Sequence, residues 1–240
     1  MNARLPVLHR SVALAALPLV AACAQFGFGG ADGPPAEAPS YHVGDRWVYQ
    51  AKDGFRSPVV WEEIHEITAI GGDGIRVRVS QAGPNVSNAR VEQFISPGLV
   101  RVGALFDAET RRFAQPLHRY EFPLTPGRTW NQWVANLNEE TKKEGEINRY
   151  VRVGGWDKVA TPAGTFDAIR VTVLMRLDDE EFWRRATQCA YTIWYAPAVR
   201  GIVREVKEAE YLEKGGPMDG MAAIRSQHAT VELVRFVPGA

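Results

Sequence analysis

Trp61-Glu62-Glu63-Ile64-His65-Glu66 gathers three carboxylates and an imidazole into six residues, a composition able to hold a metal ion or to pair an acid with a base. On a helix, Glu62 and Glu66 would share a face. The flanking Val59, Val60, Ile67 and Ile70 read instead as a strand, which sets Glu63 and His65 on one side, about 7 Å apart. A zinc site needs at least three good ligands. His42, His118 and His228 occur singly, without ligand spacing, so no metal is expected and the segment reads as a solvated strand face.

Nucleophilic chemistry has no better anchor. The chain carries no G-x-S-x-G elbow, and Ser80, Ser87 and Ser96 lie in or beside strand-like segments without a local motif. Cys189, followed by Ala190-Tyr191, is a lone thiol in a β-rich setting and reads as a small core residue. Asp178-Asp179-Glu180-Glu181 is a carboxylate run of the kind that loops keep solvated. No glycine-rich phosphate loop is present. These residues predict no catalytic site, no cofactor and no enzyme. A buried acid beside His65 in a cleft would reopen hydrolysis.

Aromatic residues are the more informative set. Trp47, Tyr49, Trp61, Trp130, Trp194 and Tyr195 lie in strand-like segments, where alternation turns one set inward, and they are the candidate lining of a concave apolar face. A filled core competes with a hollow one, because interiors normally pack without voids. With a hollow face, an apolar chain would contact an inward Trp194.

The elements that position these residues show a period of two. Ile75-Arg76-Val77-Arg78-Val79 puts three β-branched residues on one face and two arginines on the other. Similar alternation predicts strands near 46–52, 59–70, 90–96, 110–122, 145–153, 166–177, 190–195, 201–211 and 229–237. Residues 178–186 and 217–225 alternate poorly and are the candidates for short helices. Turn residues separate the strands: Gly71-Gly72-Asp73-Gly74, Thr125-Pro126-Gly127-Arg128 as a type II turn, and Thr161-Pro162-Ala163-Gly164 as type I. Val43-Gly44-Asp45-Arg46-Trp47 and Pro126-Gly127-Arg128-Thr129-Trp130 share one spacing, with Trp three residues after Gly; one spacing does not establish a repeat. The predicted fold is all-β and mainly antiparallel, a meander forming a single curved sheet or half-barrel with one or two short helices.

Composition limits the partners. The chain is 45% apolar and 23% charged, enough apolar surface for a core, and its 28 basic residues match 28 acidic ones. A balanced charge lacks the broad cationic field of a nucleic-acid binder, and no nucleic-acid partner is expected.

The amino terminus reads as an address. Arg4 and Arg10 precede SVALAALPLVAA, a run of twelve residues that is too short to span a bilayer, which takes about 20. It ends in Val20-Ala21-Ala22-Cys23, which resembles the lipobox of bacterial lipoproteins. That resemblance implies cleavage before Cys23 and acylation of its thiol and amino group. An ordinary secretory signal with an incidental cysteine is the competing reading. Ala24 in place of Asp resembles outer-membrane sorting in proteobacteria. The expected organisation is a signal peptide over 1–22, a lipid-anchored flexible tether over 23–40, and a β domain over 41–240. Removal of Arg4 and Arg10 leaves 26 basic residues (28 less 2) against 28 acidic, so lipid rather than charge would hold the protein at the membrane.

Four stretches carry a wider resemblance. Residues 122–130, Thr161-Pro162-Ala163-Gly164-Thr165-Phe166-Asp167-Ala168-Ile169-Arg170-Val171, Ile193-Trp194-Tyr195-Ala196-Pro197 and Glu232-Leu233-Val234-Arg235-Phe236 resemble a pattern of uncharacterised bacterial secreted proteins and envelope lipoproteins: PL-x-x-G-x-x-W, PAGTFDA, WYAP and a closing ELVxY. Ala198-Val199-Arg200-Gly201 departs from that pattern. The family is similar to LolA/LolB-like half-barrels, which wrap an apolar cavity. The resemblance implies a membrane-anchored protein of the bacterial cell envelope, on the outer membrane facing the periplasm. It carries a shape and an address rather than an activity; the function expected is a non-enzymatic binding or chaperone module for a lipid or other apolar ligand. A structural or assembly partner of an envelope complex is the alternative, and an envelope hydrolase the distant one. An open apolar cavity favours the first, an exposed flat apolar patch the second.

Overall fold

In β3 (Gly74–Gly83), Ile75, Val77 and Val79 are buried while Arg76 and Arg78 face water, as their alternation dictates. The same division runs around the whole molecule. The computed structural model describes residues 32–54, 58–106, 109–182, 184–214 and 224–240. They form twelve strands: β1 (Arg46–Asp53), β2 (Val59–Gly71), β3, β4 (Val86–Ser96), β5 (Leu99–Gly103), β6 (Arg111–His118), β7 (Thr129–Asn138), β8 (Glu144–Thr161), β9 (Gly164–Arg176), β10 (Gln188–Ala196), β11 (Gly201–Leu212) and β12 (Ile224–Val237). Each is antiparallel to its neighbours in sequence, and β1 also pairs with β12 from Arg46↔Val237 to Asp53↔Ala229, so the meander closes into a barrel.

Closure corrects the single curved sheet or half-barrel predicted above, although the all-β antiparallel class stands. An open sheet leaves two rows of unpaired backbone groups, and pairing β1 with β12 removes both. The short helices are corrected as well. Residues 178–182 and 184–186 form turns and isolated bridges, including Glu181↔Arg184. Of 217–225, the first seven residues lie outside the described ones and Ile224 already begins β12. Among the described residues the one helical turn is the 3-10 turn Pro197–Val199, which Arg200 ends in the left-handed region at φ 55°. That turn occupies the stretch that departs from the family pattern.

The two Gly-x-x-Trp junctions share geometry as well as spacing. Gly44 donates to Ile67 O while Ile67 donates to Asp45 O; Gly127 donates to Val153 O while Val153 donates to Arg128 O. Gly44 and Gly127 both take positive φ, 90° and 86°, which a Cβ would oppose. In each case the following tryptophan turns inward and is buried. Residues 32–40, read above as the end of a tether, run along the wall: Ala36 and Leu124 exchange backbone hydrogen bonds, and Trp156 Nε1 donates to Pro34 O.

Two apolar clusters fill most of the interior. One gathers on β6–β10 around Leu117, Ile147, Val151 and Ile169, the other on β1–β3 and β11–β12 around Tyr49, Ile67, Val203 and Leu233. Phe94 and Ile202 pack against both.

Candidate functional site

Between the two clusters the barrel encloses a cavity of about 140 Å³. Its walls are charged. Among the described residues, Arg90, Arg119, Arg149, Arg200 and Lys207 face three carboxylates, Glu63, Glu92 and Glu205, together with His65 and the phenols of Tyr41, Tyr49, Tyr120 and Tyr191. β1–β5, β8, β10 and β11 contribute to the lining, so most of these charged residues stand on strands where the alternation otherwise places valine or isoleucine, while Arg119 and Arg200 come from the connections between strands.

On β2 that phase carries Trp61, Glu63, His65 and Ile67. Glu63 is 7% exposed, which corrects the solvated face expected of this segment. His65 Nε2 lies 2.6 Å from Glu63 Oε1, Gln81 Nε2 donates to Oε2 at 2.5 Å, and Trp61 Nε1 is 3.4 Å from the same oxygen. Burial alone would raise the proton affinity of this carboxyl, but the His65 ring, the Lys207 ammonium and the Gln81 amide outweigh it and hold Glu63 well below the usual carboxylate range. His65 meets the ring of Tyr49 edge-on at 5.2 Å.

Glu92 on β4 is the second buried carboxylate. Arg90 Nε donates to Oε1 at 2.9 Å and Arg119 Nη2 to Oε2 at 3.1 Å, and Arg119 also reaches Ala104 O at 2.9 Å. Burial opposes the charge on Glu92, yet Arg119 and Arg90 keep its carboxyl below its ordinary range. Gly103 permits this approach: a Cβ there would stand 3.0 Å from Glu92 Oε2 and 2.9 Å from Val100 Cγ1.

Arg149 on β8 differs from these. It is 3% exposed, and its guanidinium makes one hydrogen bond, from Nη1 to His118 O at 2.9 Å, with no carboxylate in ion-pair range among the described residues. Burial draws its affinity for a proton down to about 10, against the opposing influence of Tyr120 and Tyr191. Glu205 pairs with Lys207 at 3.5 Å. Arg200 pairs with Asp45 at 3.2 Å, and Asp45, fully buried behind the cavity wall, also accepts from His42 N and Gly239 N. Burial raises the affinity of Tyr49 and Tyr120 for their protons, so the phenols stay neutral.

The six aromatic candidates separate. Trp47 and Tyr49 line the cavity; Trp47 Nε1 donates to Val199 O at 2.7 Å and its ring stacks on Phe236 at 5.4 Å. Trp61 faces inward beside Glu63, outside the cavity lining. Trp130 and Tyr195 are buried in the apolar cluster of β6–β10. Trp194 falls between inward Ile193 and Tyr195 and faces out, bonded to Asp157 and covered by Arg204 at 5.6 Å, which corrects its expected inward aim. Cys23 lies outside the described residues. Cys189 is buried in the core. His42, His118 and His228 are spread along separate strands and loops, and among the described residues no three His, Cys, Asp or Glu side chains converge as metal ligands.

Arg90, Glu92, Arg119, Arg149, Glu205 and Lys207 are absent from the residues singled out by sequence. The signal that marks several of them is phase: Arg149 falls between Ile147 and Val151, and Glu205 and Lys207 fall between Val203 and Ala209, each in step with buried apolar residues. Arg119 follows the end of β6, where no alternation reports orientation.

No family model matches the sequence, and neither does any curated protein. Solved structures with a similar fold include a predicted lipoprotein of Parabacteroides distasonis (13% identity over 85% of this chain and 100% of that chain, TM-score 0.49). A predicted exported protein with a YmcC-like fold from Bacteroides fragilis has 16% identity over 85% and 100% of the two chains, TM-score 0.47. The hypothetical lipoprotein YmcC of Escherichia coli has 7% identity over 82% and 86%, TM-score 0.39. These are loose likenesses of shape.

Proposed function

We propose that this protein is a lipid-anchored barrel of the bacterial cell envelope that binds a small ligand, or the polar end of a larger one, in its lumen without transforming it. The observation that carries this reading is the charged cavity itself. Buried ionic groups cost several kcal/mol each in desolvation and are seldom a route to stability, whereas the two apolar clusters on either side of the cavity are built mainly from Val, Ile, Leu and aromatic side chains. The wall charges favour a polar or anionic group over a bare hydrocarbon chain, so a lipid would enter by its headgroup. The lipobox-like Val20-Ala21-Ala22-Cys23 supports the anchor. Outward charges such as Arg76, Arg78, Glu62 and Arg152 argue that the barrel stands in water, because a membrane-spanning barrel presents an apolar band to lipid.

The buried Glu63 beside His65 meets the condition set above for a hydrolase. The ring of His65 bonds Glu63 and contacts Tyr49, with no serine, threonine or cysteine in its hydrogen-bonding range among the described residues. That leaves an acid–base pair lacking a nucleophile, and binding is the better-supported reading. The assembly alternative has an observation of its own: Tyr150 and Leu174 are cross-strand partners on the outer wall, Trp133 stands diagonally from Tyr150, and all three are exposed.

Native mass spectrometry of the full-length protein extracted from the envelope tests the proposal. A stoichiometric adduct released on denaturation is the expected result. A bare protein mass throughout would count against a ligand-binding lumen.

A further inference from the structure

We propose that the lumen holds an oxyanion, a carboxylate or a phosphate group, on the guanidinium of Arg149; this rests on the binding reading above and specifies its ligand chemistry. Three independent observations meet at that side chain. Arg149 is buried yet lines an open cavity rather than packed apolar side chains. It has no carboxylate partner among the described residues, and its one hydrogen bond goes to a backbone carbonyl, leaving most of a five-donor fork unused. Finally, the charges around the lumen do not balance without a ligand.

The balance can be followed pair by pair. Glu63 is matched to His65, Glu92 to Arg90 and Arg119, and Glu205 to Lys207. Arg200 is neutralised by Asp45 from behind the wall. With His65 left uncharged, four Lys and Arg cations then remain against three carboxylates, a surplus of one positive charge, which a protonated His65 would raise to two. An oxyanion carrying one or two charges restores neutrality. A buried cation without a counter-charge is strongly disfavoured, and a guanidinium presents its donors in the planar fork that suits carboxylate and phosphate oxygens.

The surroundings fit the same chemistry. Tyr120 and Tyr191 line the same cavity as Arg149, and the phenol of Tyr120 places a hydroxyl there that can donate to an anion. Arg90 supports the same reading: its Nε is committed to Glu92 while its buried Nη1 has no hydrogen-bond partner among the described residues. A volume of about 140 Å³ holds several waters, and therefore an anionic group rather than a folded acyl chain.

The test uses the full-length lipoprotein in detergent, with the melting temperature followed during titration by acetate, octanoate and inorganic phosphate against chloride at constant ionic strength. Saturable stabilisation by at least one oxyanion is expected. Arg149→Met should weaken it by about tenfold or more, the loss of a charged hydrogen bond. Arg152→Gln, on the outer face of the same strand, should leave it unchanged. Arg149→Met should also melt at or above the ligand-free wild type, because it removes an uncompensated charge, whereas a guanidinium serving only to brace His118 O would give a lower melting temperature. If Arg149→Met does not fold, Arg149→Lys keeps the charge, loses the fork and should bind more weakly than wild type. Octanoate binding more tightly than acetate would identify the anionic end of a longer chain, and a response to phosphate alone a phosphate group. No oxyanion response, or an equal one in Arg149→Met, overturns the proposal. If a neutral ligand nevertheless co-purifies, the binding barrel survives without its anion site; if nothing co-purifies, both readings fall.

Discussion

His65 Nε2 stands 2.6 Å from Glu63 Oε1 on the inner wall of the barrel, two residues apart on one strand and facing the same cavity. The pair makes the acid limb of stability predictable. Glu63 and Glu92 both hold their carboxyls below the ordinary value of 4.5 in the folded protein, so on acidification the unfolded chain takes up protons first. Their contribution is complete above that ordinary value and is lost progressively as pH falls from there toward the depressed folded values. Each such carboxylate steepens the loss by about 1.4 kcal/mol per pH unit within that window. Urea unfolding at pH 7, 5, 4 and 3 should show stability dropping below pH about 4.5, with Glu63→Gln less stable at neutral pH and shallower on the acid side.

Glu92 supports a sharper comparison. It pairs with two arginines at once, so Glu92→Gln leaves Arg90 and Arg119 buried without a counter-charge and should cost about 3–5 kcal/mol. The outer pair Lys158–Asp167, 2.8 Å apart but 78% and 69% exposed, should lose no more than about 1 kcal/mol on Lys158→Ala. Equal costs in denaturant melts would remove the distinction between lumen and wall.

That distinction shows how far the sequence could be read. Alternation located ten of the twelve strands because valine and isoleucine mark the inward phase. It failed for β7, whose inward set includes Asn136 and Asn138 while Trp133 faces out, and for β5, which is too short to display a period. Closure was illegible because it depends on Trp47 meeting Phe236, residues at opposite ends of the domain, with no local mark on either. The site was only half legible for a related reason. Pattern reading treats charge as solvent-facing, and Glu63, Arg149 and Lys207 are charged residues on the apolar phase.

The orientation of the tryptophans can be tested directly. Trp47 is buried, stacked on Phe236 and bonded to Val199 O, so Trp47→Ala should cost about 3–5 kcal/mol. Trp133 is 56% exposed, and Trp133→Ser should change stability by less than about 1 kcal/mol. Trp194, facing out beneath Arg204, should remain more accessible to acrylamide than Trp47 when each is left as the single tryptophan.

Anchoring is tested apart from the fold. On the proposed lipid anchor, Cys23→Ser should abolish palmitate incorporation and release the protein from the membrane fraction, since acyl chains rather than charge would hold it. Label entering that variant would defeat the lipobox reading.

Gly103 links the backbone of β5 to the Glu92–Arg119 ion pair, whose residues come from β4 and the end of β6 on either side of it. A Cβ at this position would meet Val100 Cγ1 at 2.9 Å, Glu92 Oε2 at 3.0 Å and Arg119 Nη2 at 3.2 Å, contacts tight enough that the pair must shift. Gly103→Ala should therefore destabilise the barrel by about 1–3 kcal/mol, the usual cost of overpacking a fitted interior. The cause can be separated from a general backbone effect by a double-mutant cycle. In a Glu92→Ala background one of the three crowded atoms is gone and Arg119 is free to move, so the added methyl should cost less than in wild type. A cost of Gly103→Ala that is unchanged when Glu92 is removed would place the strain at Val100 instead and leave the ion pair uninvolved.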